Sequence, residues 1–374
     1  MKVGILTFHR AENFGAALQV YALQSFLQKK GCDVDVIDYR NLAIESMYDI
    51  YNPRILFTRK NIFISLRLYI NRFKHIQDRF ICKDRYQKFR EKFLHLTKKT
   101  TTLKDVVKAF DCVIVGSDQV WNLHLTGGLD KNYFLGFEKN HGVKKISYAV
   151  SAEYDPCDLL CQHKSEITKW LSDFDSLSVR EEFLKTELRK YTDKRIAVCL
   201  DPTFLLNDTH YKGMVPTPLD KRYILVYHMT PIPMGTELAD RIAEAKNYKV
   251  IEIHIGYGCG HGDERHKTNL GPLEILNYIV WAEEIVTSSF HGLALSLIMK
   301  KDVWVIDKGN NQRQRNLLAS LGLGKRLLTD LRDYKDNKID YGVVSNLLDV
   351  RIKESKDFIM TALFGDNEEN SVLS

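Results

Sequence analysis

Short apolar runs alternate with longer amphipathic ones along most of the chain. KVGILTF (Lys2–Phe8) reads as a buried strand. GAALQVYALQSFLQKKG (Gly15–Gly31) has helical spacing and ends on a glycine stop. DVDVIDY (Asp33–Tyr39) supplies the next strand. Strand, helix and strand joined by short links predict a parallel sheet with covering helices. The alternation resumes with DCVIVGSD (Asp111–Asp118), KISYAVSAE (Lys145–Glu153), SLSVREE (Ser176–Glu182) and RIAVCLDP (Arg195–Pro202), each a strand that runs into a polar loop.

Asn207–Arg222 breaks the pattern: it has no periodicity and no apolar run, and reads as a linker. A second alternating set starts at YILVYHM (Tyr223–Met229) and continues through KVIEIHI, IVTSS, the HGLALSLI helix and DVWVID. A helical segment near Asn346–Leu363 and a polar tail close the chain. The predicted fold class is α/β, with two doubly wound, Rossmann-like parallel-sheet domains facing a cleft. The first domain is expected over residues 1–206, the linker over 207–222, the second domain over 223–345, and the closing helix and tail over 346–374.

Composition sharpens this picture in two places. A chain of 374 residues that is 44% hydrophobic can bury two cores. The net charge of +6 is concentrated: from Arg54 to Lys104 fifteen Lys/Arg face three acids, so the rest of the chain sums to −6. That segment reads as an amphipathic helical insertion at about 54–104, with Phe63, Leu66, Ile70 and Phe73 at helical intervals. It has no nucleic-acid motif, so nucleic acid is not expected as a partner. The remaining readings are a solvated helical face, or a surface for anionic membrane or a lipid-linked acceptor, to which Arg67, Arg72, Lys74 and Arg79 would contribute. Seven scattered cysteines without a CxxC pair argue against a disulfide framework or a zinc ribbon. With no signal peptide and no membrane-length apolar run, the expected location is cytoplasmic, peripheral at the inner membrane face if the basic segment docks there.

Ligands of parallel sheets bind beyond the carboxyl ends of strands. The polar residues of the first domain gather there: His9, Arg10, Asn13 and Gly15, then Ser117, Asp118, Gln119 and Asn122, then Ser151, Arg180 and Asp201. The second domain offers His228, the loop Gly256–His266, Ser288, Ser289 and His291, then Asn310, Gln312 and Arg313. His291 opens a helix, where unpaired N–H groups attract an anion; it is either a satisfied junction histidine or a proton donor. Ser288 or Ser289 fits a helix cap as well as a ligand contact. Arg180 fits a pair with Glu181 or Glu182, or a clamp on a carboxylate or phosphate. VGSDQVWN brings backbone N–H groups near a ligand, with Asp118 able to accept sugar hydroxyls, or forms an Asx turn. GYGCGHGDERH fails the dinucleotide fingerprint, because its third glycine would fall on His261. His254, Cys259, His261, Asp263 and His266 fit no familiar ligand spacing, so no metal site is expected.

Five stretches occur together in order: TFHRAENFGAALQVYAL, VGSDQVWN, SVREE, CLDPTFLL and TSSFHGLALSLI. Together they resemble the polysaccharide pyruvyl transferase family, from Val3 to about Leu323, leaving out the basic segment and the C-terminal tail. The resemblance implies a two-domain fold like that of GT-B glycosyltransferases. It implies phosphoenolpyruvate as a small-molecule donor, a glycan or lipid-linked sugar as acceptor, and a pyruvate ketal as product, in exopolysaccharide or capsule biosynthesis at the cell envelope. No metal or redox cofactor would be needed. Arg180 matches the family arginine that holds the donor, and His291 the histidine proposed as catalytic. Ser289 stands where better-studied members carry an arginine: either Arg313 or a residue of the basic segment replaces that charge, or the donor differs. The expected donor set is therefore Arg180, Ser288, Ser289, Asn310 and Arg313; the expected acceptor set is Asn13, Gly15, Ser117, Asp118, Gln119 and Asn122. Two alternatives share the fold: a nucleotide-sugar glycosyltransferase, and a non-catalytic glycan-binding or assembly protein.

Overall fold

The computed structural model describes residues 1–49, 76–138, 142–152, 160–216, 222–229, 232–254, 263–307, 309 and 312–365. In the first half, strands β1 (Lys2–Leu6), β2 (Asp33–Val36), β3 (Cys112–Val115) and β4 (Lys144–Ser147) form a sheet in the order β2-β1-β3-β4. Strands β5 (Leu177–Val179) and β6 (Ile196–Val198) pair with each other. Isolated bridges from Ile146 to Ser176 and from Val150 to Val179 tie them to the β4 side. In the second half, β7 (Tyr223–His228), β8 (Lys249–His254), β9 (His266–Lys267), β10 (Glu284–Thr287), β11 (Asp302–Ile306) and β12 (Leu327–Leu328) take the order β12-β11-β10-β7-β8-β9. All of these pairings are parallel. The chain is thus an α/β protein with two parallel sheets, as its periodicity predicts. Strands β3, β7 and β10 are buried along their whole length, which is why they read as continuous apolar runs.

Strand order reverses between β1 and β3 in one sheet and between β7 and β10 in the other. Such switch points leave a crevice at the carboxyl ends, where neighbouring loops diverge. The loops there are Thr7–Asn13 and Gly116–Asn122, facing His228 and Thr287–His291.

The helix Phe14–Lys29 is buried on nearly every side over its first three turns. Its Val20, Leu23 and Phe26 pack with β1 residues Val3 and Ile5. Phe14, Ala17 and Leu18 pack instead with Tyr227, Phe290 and Leu293 of the second half. Two apolar faces on one helix follow from being sandwiched between the halves.

Three regions differ from the expectations above. The stretch read as a linker contains a short helix, Asp208–Lys212. Asn207 caps it by accepting from His210 N, and Tyr211 is fully buried with its hydroxyl donating to Thr203 O. One cap and one buried ring over five residues leave no periodic trace. The basic segment holds a helix, Ile76–Phe93; its residues 54–75, with Arg67, Arg72 and Lys74, lie outside the described residues. In this helix Arg79 is buried, so it is not presented to a membrane, and Arg90 is buried too. Tyr86 and Phe89 enter the core between the halves, and Arg85 pairs with Glu274 at 3.4 Å. The closing helix starts earlier than expected, spanning Tyr341–Phe364 with Asp340 as its cap. It returns to the first half: Leu200 N donates to Ser355 Oγ, and Lys144 Nζ donates to Leu363 O. Among the described residues, no helix is long and apolar enough to cross a membrane.

Candidate active site

Asp201 sits at the point where the two halves meet. It is fully buried, in the turn after β6. Its Oδ1 accepts from the backbone N and hydroxyl of Thr203 at 3.0 and 2.9 Å. Its Oδ2 accepts from Arg180 Nη1 at 2.9 Å. The hydroxyl of Ser117 lies 3.2 Å from the same oxygen and 2.8 Å from Ala149 O. From the second half, His291 Nε2 approaches Oδ2 at 3.3 Å, within ion-pair range but off the line of a hydrogen bond. Burial works against a charge on Asp201, yet His291, Arg180 and the Thr203 amide outweigh it and hold the carboxyl well below its usual range.

Arg180 extends the cluster. Its Nε donates to Glu181 at 2.9 Å, and Ser151 donates to the same carboxylate oxygen at 2.8 Å. Phe290, from the second half, lies against the guanidinium at 4.5 Å. Burial opposes the charge of Arg180, but Glu181, Asp201 and Asp118 prevail and its pKa is raised. Its Nη2 is buried with no hydrogen-bond partner, and so is His291 Nε2. An N–H left unmet in a buried site costs about 1–3 kcal/mol, a cost that a bound acceptor oxygen would remove.

Arg313 enters from the second half and meets the Gln119 side chain. With the amide turned so that its oxygen faces the guanidinium, the distances are 3.0 and 3.2 Å. Among the described residues, no carboxylate lies within ion-pair distance of Arg313. Burial and then the charge of Arg180 lower its pKa. Two arginines thus repel across the seam between the halves, and Glu181, Asp118 and Asp201 offset the charge of Arg313 only from beyond ion-pair distance.

Gly15 belongs to this site for a steric reason. A Cβ there would fall 2.0 Å from His291 Nδ1. The first turn of the helix Phe14–Lys29 therefore lies flat against the imidazole, and only glycine permits that approach.

The remaining expected site residues separate into structural and open roles. Asn13 caps the helix Phe14–Lys29, its Oδ1 accepting from Gly15 N and Ala16 N. Asn122 caps Leu123–Thr126 in the same manner. Ser289 caps Phe290–Ile298 by accepting from Gly292 N at 3.3 Å. Ser288 Oγ lies 3.2 Å from His228 Nδ1. Asp118 adopts φ 73° and its Oδ1 accepts from Gln119 N, the next residue, rather than from Val120 N as an Asx turn would require. Asp118 and Gln119 remain partly exposed. Asn310 and residues 256–262 of the expected glycine loop lie outside the described residues. His9 is a buried partner of Asp38 at 2.9 Å, and Arg10 forks onto the same carboxylate. His254 and His266 are brought within 2.8 Å of each other, beside Glu252. That carboxylate is taken by Arg265 and Thr236, and one imidazole can donate to the other. Asp201 was visible in the sequence only as one strand-end acid among several; its place as the hub needs both halves in space.

The fold and this cluster define a class: a two-sheet parallel α/β protein with a charged polar site assembled from both halves. The chain belongs to the polysaccharide pyruvyl transferase family, whose sequence model matches residues 13–310. It is accordingly a transferase, and membership implies a small-molecule donor with a sugar or glycan acceptor. No curated protein matches the chain by sequence. Among solved structures, the chain is similar to a putative UDP-N-acetylglucosamine 2-epimerase from Listeria monocytogenes, with 13% identity, TM-score 0.49, and 96% of this chain and 90% of that one covered. It is also similar to a UDP-GlcNAc 2-epimerase from Methanocaldococcus jannaschii, with 13% identity, TM-score 0.43, and 94% and 93% covered. For E. coli heptosyltransferase WaaC with ADP the values are 12%, 0.39, and 97% and 100%.

Proposed function

We propose that the chain transfers the pyruvyl group of phosphoenolpyruvate to two hydroxyls of a sugar, forming a pyruvate ketal. The observation that carries this reading is the seam: Arg180 and His291, from opposite halves, share Asp201 and each keep an unfilled nitrogen, with Arg313 nearby and no carboxylate among the described residues at ion-pair distance from it. A small trianion with a carboxylate and a phosphate suits two guanidinium groups and the nearby helix N-terminus at Phe290.

The chemistry follows from the donor. His291 gives a proton to the methylene carbon, which makes the adjacent carbon electrophilic. One sugar hydroxyl adds there. The C–O bond to phosphate then breaks, and the second hydroxyl adds to close the ketal. Of the two hydroxyl protons released, one restores His291 and the other leaves with phosphate. Asp201 supplies the negative partner for the imidazole, while the partly exposed Asp118, with Gln119 beside Arg313, faces the sugar.

Thermal-shift screening tests the reading. Phosphoenolpyruvate should stabilise the protein by about 2.7 kcal/mol at a hundredfold excess over its Kd, and Arg313→Gln should abolish most of that gain. Stabilisation by a nucleotide sugar, with none by phosphoenolpyruvate, would instead favour a glycosyltransferase. Glycan binding without phosphate release from any acceptor would favour a non-catalytic binder.

A further inference from the structure

A second polar cavity, lined by both cations and carboxylates, lies beside the Thr7–Asn13 loop. Its volume is about 490 Å3, and Arg10, Arg40, Lys83 and Arg90 line it. Arg90 is the unusual member. Only 7% of it is exposed, and its Nε and Nη1 have no hydrogen-bond partner. Its burial, followed by the charge of Arg10, pushes its pKa down to about 10. The other arginines are already matched: Arg10 forks onto Asp38, and Arg40 pairs with Asp38 at 3.0 Å and with Glu45 at 2.6 Å. Glu12 and Asp49 also line the wall, and the charges of Glu12 and Asp38 favour the Arg90 cation without giving its Nε or Nη1 a hydrogen bond. A buried guanidinium with unmet N–H groups is costly unless an acceptor joins it. A larger cavity of about 1280 Å3 beside β6 and the closing helix has no comparable unmet group.

We propose that this cavity is an oxyanion subsite, in which Arg90, flanked by Arg10, Arg40 and Lys83, binds a phosphate group. A guanidinium with two free N–H directions favours a tetrahedral oxyanion with several acceptor oxygens. The phosphate has two possible sources: it is carried by the sugar acceptor, or it is free inorganic phosphate. The first source rests on the proposed transferase reading, since the Thr7–Asn13 loop that carries Arg10 also leads to Asn13 and the helix against His291. The subsite itself does not depend on that reading.

Isothermal titration of the full chain with inorganic phosphate and with a panel of hexose 1-phosphates tests both points. Arg90→Gln and Lys83→Gln should each weaken phosphate binding at least tenfold, while Arg313→Gln retains it. Lys83 is exposed, so its variant keeps the test open should Arg90→Gln fail to fold. A hexose 1-phosphate that binds more tightly than inorganic phosphate, and loses that advantage in Arg90→Gln, assigns the site to the acceptor. Equal or tighter binding of inorganic phosphate assigns it to the free anion. Unchanged affinity in both Lys83→Gln and folded Arg90→Gln, or binding lost only in Arg313→Gln, overturns the subsite. Phosphoenolpyruvate-dependent turnover is measured separately, so failure of either idea leaves the other readable.

Discussion

At the residue scale, His291 and Gly15 form one device. The imidazole is pinned between Asp201 Oδ2 and the backbone of the first helical turn. If His291 is the proposed proton donor, His291→Ala should lower phosphoenolpyruvate-dependent turnover by about 10²–10⁴-fold with folding intact. Gly15→Ala should act on the same step, because its Cβ must push the ring off Asp201. In an exposed helix that substitution stabilises by up to about 1 kcal/mol; here it should lower the melting temperature. The two effects should not add: in the His291→Ala background, Gly15→Ala should recover stability, because the obstructing ring is gone. Additive losses in a thermal and kinetic double-mutant cycle would show that Gly15 matters for another reason. Acid sensitivity belongs to this scale as well. The folded pKa of Asp201 lies below its unfolded value, so its contribution is complete above about pH 4 and lost as pH falls further. His9 is also held below its unfolded value, chiefly by burial. Its contribution is present above about pH 6.5 and begins to fade as pH falls through that point. Denaturant midpoints should therefore decline in two stages on acidification, and Asp201→Asn should reduce the lower one, to which Asp38, also held low against its burial by His9 and Arg10, contributes the rest.

Elements explain which parts of this site a sequence can reveal. His291, Ser288 and Ser289 stand out because a strand ends and a helix begins within four residues, and that junction is local. Arg180 and Asp201 follow strands as short as three residues, yet their polar loops still mark them. What the sequence cannot carry is the partner of each: the pairs Arg180 with Phe290, Arg313 with Gln119 and His291 with Gly15 all join different halves. The same locality explains why cap and ligand readings compete for one residue. Ser289 accepts from Gly292 N, so Ser289→Ala should cost about 1 kcal/mol of stability and leave the phosphoenolpyruvate Kd nearly unchanged. A large loss of donor affinity with an unaltered melting temperature would reverse that assignment. The helix Ile76–Phe93 shows a different limit. Its charge suggested a solvated face, yet two of its arginines are buried, because the helix lies across both halves and has no outer side along those positions.

For the whole molecule, the halves are not held by the seam around Asp201 alone. The continuous core that contains Phe14, Leu18, Tyr86, Tyr227 and Leu293 draws on both. The closing helix Tyr341–Phe364 adds a second tie. Its early turns bury Val344 and Leu348 in that shared core, while Ile359 and Leu363 join Val3, Ile5 and Ile146 in the first half. One rigid rod thus contacts both sheets. Removing it should do more than expose a surface. Val344, Leu348, Ile359 and Leu363 are each at least nine-tenths buried, and loss of a buried aliphatic side chain costs about 2–5 kcal/mol in a core. Against a typical net stability of about 5–15 kcal/mol, a chain ending at Asp340 should be insoluble or bind hydrophobic dye strongly. A subtler variant separates anchoring from simple loss of area. Leu200 N, one residue before Asp201, donates to Ser355 Oγ at 2.9 Å. Ser355→Ala should therefore strand a buried N–H and destabilise by about 1–3 kcal/mol, with turnover reduced through a displaced Asp201. The comparison that decides this is Ser355→Ala against Ser355→Thr, measured by denaturant unfolding and by phosphoenolpyruvate-dependent phosphate release. Threonine keeps the oxygen and should retain most of both signals. Equal behaviour of the two variants would mean that the closing helix stabilises the protein without positioning the site.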